Sequence, residues 1–559
     1  MLRSLFSSAM LGLALSSIAQ VSSGGTPYSL RAGLSLADIP AIESAHFDAD
    51  AVALEDARRD NAQKIPAYGL VLAVNADLYN AGKWTDLPNG DRVWRARISS
   101  TGALATELYF DMFLPQGASL FVYSPDGKQQ LGAFTSYNNS DDGSFATGLI
   151  DGESSIVEYY EPQTQLGMGR LTVKSVGHAY RMAGSAMSDP CEVDVNCTEG
   201  ANWTAQRDAV VRISVLDGGF NYWCSGALVN NLAQDCKPYF LTAKHCGEAT
   251  TAADFNQWKF YFNYEKPSCG SGVATQAHSM TGCTKRGDSN DNNNGNISGS
   301  DFLLLEANTP DIPTNYTAYW AGWDANNAAT AGGVGIHHPA GSQKKISTFT
   351  VTPGNSSWSG VPGTHWTLTW AGTANGHGVT EGGSSGSPIF NNAQRIMGTL
   401  TGGASCCVAG DCGPFTGPTA SDLYGKMSYH WQSDPGPTNQ KLKTWLDPAS
   451  TGLLTMDGSY DPCGNGNGNG IGEHATAQVS IGLWPNPATN SVEVSLPKDF
   501  TGDASIELVD ALGRVVQSRA INANAPLKLE LAREAAGVYS VRVLRYGATM
   551  GTARMVVQR

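Results

Sequence analysis

Glu381-Gly382-Gly383-Ser384-Ser385-Gly386-Ser387-Pro388-Ile389-Phe390 packs three glycines and three serines ahead of a proline, then becomes an apolar strand. A serine hydroxyl is a poor nucleophile until a neighbouring base takes its proton. Acyl transfer also needs backbone N–H groups aimed at the developing oxyanion, and glycines let a chain bend to aim them. Gly-Ser-Ser-Gly-Ser-Pro meets that need with Ser385 as nucleophile and the N–H groups of Gly383 and Ser385 as the hole. The plainer reading is a Gly/Ser surface loop. A base and an orienting acid elsewhere in the chain decide between them.

His245 lies in Phe240-Leu241-Thr242-Ala243-Lys244-His245-Cys246-Gly247. An apolar strand runs into a small turn, and a cysteine at the next position pins the histidine, as general-base work requires. Asp301 follows Gly299-Ser300 and precedes the apolar run Phe302-Leu303-Leu304-Leu305. An acid at the mouth of a buried strand is unusual unless it is paired. The order His245, Asp301, Ser385 is that of the chymotrypsin-type triad.

The 559-residue chain is too long for a single domain. Only 15% of residues are charged, glycine is abundant at 64, and the net charge is −14. This composition suits a β-rich extracellular protein, and without a basic run it excludes the usual nucleic-acid binders. Residues 1–19 read as a secretory signal peptide, with Arg3 ahead of a short apolar run and small residues at Ser17 and Ala19. No later stretch is apolar long enough to predict a transmembrane segment. All eleven cysteines lie between 191 and 463, which predicts a disulfide framework confined to one central domain. The odd count leaves one thiol over, assigned to Cys463. No paired C-x-x-C and no H-E-x-x-H occurs, so neither a metal nor a cofactor is expected.

Five segments follow: signal peptide 1–19; a β-rich, cysteine-free pro-region 20–181; a β-rich domain 182–460 closed by a short helix over Thr438–Leu446; a Gly/Asn-rich linker 461–477; and a small β-sandwich 478–559. The strands expected in the second segment include Trp94–Ile98, Glu107–Asp111 and Ser119–Tyr123. A β-sandwich is the expected fold of that segment, and a carbohydrate- or protein-binding module is the other reading of its role.

The central domain resembles bacterial lysyl endopeptidases, secreted serine proteases built on a chymotrypsin-like double β-barrel. Beyond the three catalytic segments, the resemblance rests on Cys191-Glu192-Val193-Asp194-Val195-Asn196-Cys197, Trp320-Ala321-Gly322-Trp323-Asp324, Ile336-His337-His338-Pro339 and Trp445-Leu446-Asp447-Pro448-Ala449-Ser450-Thr451-Gly452. It implies a mainly β protease cleaving after Lys, with Arg left open, and disulfides Cys191–Cys407, Cys197–Cys269 and Cys224–Cys246. Cys236–Cys283 and Cys406–Cys412 are assigned outside the family pattern. Asp422, in Ser421-Asp422-Leu423-Tyr424-Gly425, is the expected receptor for a lysine ammonium. Thr401-Gly402-Gly403 and Trp358 are the expected substrate-binding edge. Thr401 stands where relatives carry a histidine, and it is expected to hydrogen-bond Asp301. Glu381 is expected to face outward, and His337-His338 to be fold residues. Ser384 stands where trypsin-like zymogens carry an aspartate, so an N-terminal salt-bridge switch is not expected. Release of the pro-region is expected after Lys174 or Arg181.

The last domain resembles the C-terminal sorting domain of type IX secretion cargo. The match rests on Trp484-Pro485-Asn486-Pro487-Ala488-Thr489-Asn490, Leu512-Gly513-Arg514, Gly537-Val538-Tyr539 and Arg554-Met555-Val556-Val557-Gln558-Arg559. It implies export across an outer membrane by that machinery, then removal or transient attachment at the cell surface. The rival reading of the whole chain is a secreted adhesin on a catalytically dead protease scaffold.

Overall fold

The computed structural model describes residues 24–61, 67–181, 188–291, 299–309, 311–359, 361–410, 412–413, 416–433, 436–463, 481–496, 503–510, 515–522, 527–531, 534–545 and 548–558. The expected signal peptide and nearly all of the linker lie outside the described residues. The chain forms two compact units that divide between Gly466 and Asn467.

In the first unit, short apolar strands buried on both faces give two barrel-forming sheets that carry the site. One includes Val210–Asp217, Phe220–Val229, Tyr239–Thr242 and Leu303–Ala307. The other includes Gly333–His337, Lys345–Phe349, Pro388–Asn391, Ile396–Gly403 and Asp422–Lys426. Pro388 sits at the first position of its strand, where a missing N–H costs the ladder least. The closing helix forms as Leu442–Leu446, with Asp447-Pro448 beyond it.

The N-terminal segment does not stand apart from the first barrel. Its strand Ala67–Asp77 pairs antiparallel with Phe220–Val229, matching Leu70 to Phe220 and Ala67 to Tyr222, so one sheet of twelve strands runs through both. Polar groups cross the same seam. Buried Glu107 lies 3.0 Å from Lys259 Nζ and accepts from Tyr68 and from Asn221 Nδ2 at 2.7 Å. A charge taken out of water is tolerated only when paired and hydrogen-bonded, so these groups hold one another in register. The three quoted strands form within Arg92–Ser99, Ala105–Phe113 and Ser119–Tyr123.

Unexpectedly, Ala49–Asn61 is a helix. Asp48 Oδ1 accepts the N–H groups of Asp50 and Ala51, which starts the helix as an N-cap does. Its sequence, ADAVALEDARRDN, is rich in charge and presents only a narrow apolar stripe, so its periodicity is weak. Lys174 lies at a bulge within Arg170–Ala179, a strand hydrogen-bonded on both edges, whereas Arg181 lies just past that strand with Nη2 2.7 Å from Asp56.

Four of the expected disulfides form: Cys191–Cys407, Cys197–Cys269, Cys224–Cys246 and Cys406–Cys412. Cys236–Cys283 does not. Cys236 is bonded to Cys463, and the free thiol is Cys283 rather than Cys463. Cys283 points into the core of the first barrel beside the Phe255 carbonyl, and burial pushes its thiol pKa well up. A protonated thiol in that setting packs as a small apolar group. The bond to Cys463 ties the end of this unit to the first barrel, three residues beyond the expected boundary at 460.

The second unit packs a three-stranded and a four-stranded antiparallel sheet around Val492, Val494, Ile506, Leu508, Val541 and Val543. Among the described residues, no helix is long and apolar enough to cross a membrane.

Candidate active site

Register brings the histidine and the aspartate together. Tyr239–Thr242 and Leu303–Ala307 are antiparallel neighbours with Thr242 opposite Leu303. His245 leaves one strand and Asp301 enters the other at the same edge. His245 Nδ1 donates to Asp301 Oδ2 at 2.6 Å, and the His245 backbone N–H donates to Oδ1 at 3.0 Å. With the proton on Nδ1, Nε2 is left as the acceptor. Burial opposes a charged imidazole, but the Asp301 carboxylate and its hydrogen bond outweigh that, and the ring's pKa is raised above its ordinary value.

Ser385 belongs to the turn before Pro388–Asn391 and is 8% exposed. The first barrel holds this turn. Ser225 N–H donates to the Ser385 carbonyl at 2.9 Å, and Ser225 Oγ donates to the Gly383 carbonyl at 2.9 Å. The Cys224–Cys246 bridge puts Cys246 Sγ 3.9 Å from the Ser385 carbonyl, one residue from His245. Gly383 has φ +96°, a conformation that a side chain would resist. The N–H groups of Ser384, Gly386 and Ser387 donate within the protein; among the described residues, those of Gly383 and Ser385 have no such acceptor.

Asp422 opens the strand Asp422–Lys426 and is fully buried. Its Oδ2 accepts from Trp370 Nε1 at 2.7 Å, Thr380 Oγ1 at 2.7 Å and Ser405 Oγ at 2.6 Å, while Oδ1 accepts from Ser405 N–H at 3.0 Å. Burial raises its pKa, and these hydrogen bonds recover only part of the cost of charge. A Cβ on Gly403 would lie 2.0 Å from Asp422 Oδ1, and one on Gly402 would lie 2.9 Å from the Trp358 ring. The expected edge residues therefore gather at one place.

Thr401 does not reach Asp301. Its hydroxyl meets His365 Nε2 at 3.0 Å, and His365 Nδ1 meets Thr364 Oγ1 at 2.7 Å. His365, two strands away across Asp422–Lys426, captures the hydroxyl. Glu381 does not face outward either. It accepts the Asp189 N–H at 2.9 Å and lies against buried Glu192. Burial first, and charge from neighbouring acids, push Glu381 up to about 7 and Glu192 well above the usual carboxyl range. His337 is buried between Ser384 Oγ at 2.7 Å and Ser347 Oγ at 3.1 Å, and burial lowers its pKa to about 3. His338 Nδ1 meets the Ser342 carbonyl at 2.9 Å, so both histidines brace the fold.

A model of the lysyl endopeptidase C-terminal domain matches residues 185–424, and a secretion system C-terminal sorting domain matches residues 482–558. The lysyl endopeptidase of Pseudomonas aeruginosa is 30% identical over 359 residues, covering 58% of this chain and 72% of that protein. The chain belongs to the lysyl endopeptidase family. It is a secreted serine endopeptidase, and its type IX sorting domain ties it to that export machinery. Among solved structures, protease Anisep from Arthrobacter nicotinovorans is 19% identical with a TM-score of 0.28, covering 39% of this chain and 89% of that one. A Glu endopeptidase is 15% identical with a TM-score of 0.26, covering 43% and 94%. At these scores they add nothing to the family assignment.

Ser225 holds the Ser385 turn, and Trp370, Thr380 and Ser405 surround Asp422, but none of the four was read from the sequence. None sits in a motif. Ser405 has the nearest signal, standing beside the Cys406-Cys407 pair whose two disulfides anchor its loop.

Proposed function

We propose that this endopeptidase cleaves peptide bonds after lysine through an acyl-enzyme on Ser385. The observation that carries the reading is the 2.6 Å His245–Asp301 hydrogen bond beside a serine turn whose Gly383 and Ser385 N–H groups meet no acceptor among the described residues. His245 Nε2 takes the Ser385 proton as Oγ attacks the scissile carbonyl. The Gly383 and Ser385 N–H groups bind the oxyanion, and Asp301 stabilises the imidazolium. That imidazolium protonates the leaving amine. Water, activated by the same ring, then hydrolyses the ester. Asp422, buried and short of countercharge, receives the lysine ammonium. Residues 20–181 serve as a pro-region, with Arg181 better placed than strand-bound Lys174 for release.

Digesting a protein mixture and sequencing the new termini tests activity and specificity together. New termini should follow lysine overwhelmingly, and termini without preference for a basic residue would overturn the reading.

The base must be neutral to act, so kcat/KM should fall as pH drops through the His245 pKa. Because that pKa is raised, the acid limb should lie at or above the ordinary imidazole value of 6.5. A pH–rate profile checks this, and activity sustained well below that value would remove His245 as the base.

A further inference from the structure

Asp301 has φ +58°, in the left-handed region that an aspartate enters at a cost. In that conformation its carboxylate meets both the ring and the backbone of His245. Something must hold it there, and a second buried aspartate stands against it. Asp291 Oδ2 accepts the Asp301 N–H at 3.1 Å. The Ser289 hydroxyl also donates to Oδ2, and the Gly299 N–H donates to Oδ1. Lys244, the residue before His245, closes the brace. Its Nζ donates to the carbonyls of Ser289 at 2.7 Å and Asp291 at 2.8 Å, and its backbone N–H donates to the Asp301 carbonyl at 3.2 Å. The segments bearing base and acid are thus clamped through one loop.

We propose that Asp291 is a positioning residue for catalysis, which holds Asp301 by its N–H and places a second negative charge behind the His245 imidazole. The inference rests on the proposed triad. Burial and the Asp301 charge push the Asp291 carboxyl up, while Ser289, Gly299 and Lys244 favour its ionised form. Its charge favours imidazolium, as do those of Asp301 and Glu248. The other charged or titratable groups close by are Asp288, 3.7 Å from Lys244 Nζ and 3.2 Å from Lys285 Nζ, with His365 and His430 behind Asp301.

Asp291→Asn keeps the shape and removes the charge. It should lower kcat/KM by roughly ten- to a hundredfold through misplaced geometry. It should also move the acid limb down by about half a pH unit, because the imidazolium loses a stabilising charge. Asp291→Glu keeps the charge, so its limb should stay near wild type even where its rate falls. Far-UV circular dichroism and the count of free thiols report whether each full-length variant has folded. Should Asp291→Asn yield no folded protein, Asp291→Ser, smaller and still offering an oxygen to the Asp301 N–H, carries the same test. A slower enzyme with an unmoved limb means packing alone and overturns the proposal while leaving the triad intact. Undiminished activity in Ser385→Ala would overturn the triad instead.

Discussion

Ser385→Ala should lower turnover by roughly a millionfold, as loss of a triad nucleophile does elsewhere. The substitution removes only Oγ. The Ser385 carbonyl still accepts from Ser225 N–H at 2.9 Å, and the Gly383 carbonyl still accepts from Ser225 Oγ. The turn therefore keeps its shape, and so do the two N–H groups of the hole. The protein should fold, retain its disulfides and bind substrate while losing the acyl-enzyme route. A residual rate of roughly a thousandfold or more over water would come from the hole and binding alone. His245→Ala should cost a similar factor. The double variant should be little worse than either, because base and nucleophile act as a unit. Single-turnover kinetics on a lysyl ester measures all three. A Ser385→Ala protein within tenfold of wild type would remove Ser385 from the chemistry.

Asp422→Asn should reduce kcat/KM for lysine by about 3 kcal/mol, or roughly a hundredfold, since it removes one partner of a desolvated charge pair. Trp370, Thr380 and Ser405 present four donor contacts to this group. An amide has one acceptor oxygen where the carboxylate has two, so one side of the cluster would meet N–H with N–H or O–H. Part of the loss would then be structural. The ratio of lysine to norleucine at the cleaved position cancels that part, because both substrates meet the same disturbed wall. The ratio should collapse toward unity, and an unchanged ratio would place the lysine receptor elsewhere.

Much of the proposed catalytic core was legible along the chain, for a local reason. A serine turn needs its glycines next to it, and a pinned histidine needs its cysteine next to it. Asp301 stood out because an acid beside Phe302-Leu303-Leu304-Leu305 has no business in a core without a partner. The groups that surround these three carry no such local signature. Thr401 could be read as a hydroxyl facing Asp301 because nothing in the sequence reveals His365, two strands away in the same sheet and nearer to hand. Glu381 looked like a loop residue turned to solvent. Only the folded chain brings Asp189 and Glu192 to it and makes its burial visible.

The cysteines divide along the same line. The resemblance supplied three pairs, and Cys406 with Cys412 lie close enough in the chain to be joined by proximity. Cys236 has no near neighbour, and which distant sulfur it meets depends on which one faces inward. Cys283 falls on the core side of its strand, so Cys463 is left to bond Cys236. The helix Ala49–Asn61 was missed because a charged exterior helix carries little apolar period.

By itself, the sequence determined the mainly β class and the confinement of the cysteines to the middle of the chain, and it pointed to His245, Asp301 and Ser385 as the proposed catalytic groups, because each of these readings follows from composition or from chemistry within a few neighbouring residues. Only the tertiary structure decided what holds Asp301 and Asp422, where Glu381 turns, how Cys236 pairs, and that the N-terminal segment shares a sheet with the first barrel. Those outcomes depend on strand register and burial between residues far apart in the chain, and a hydrogen bond or buried charge is specified by the group that arrives across that gap.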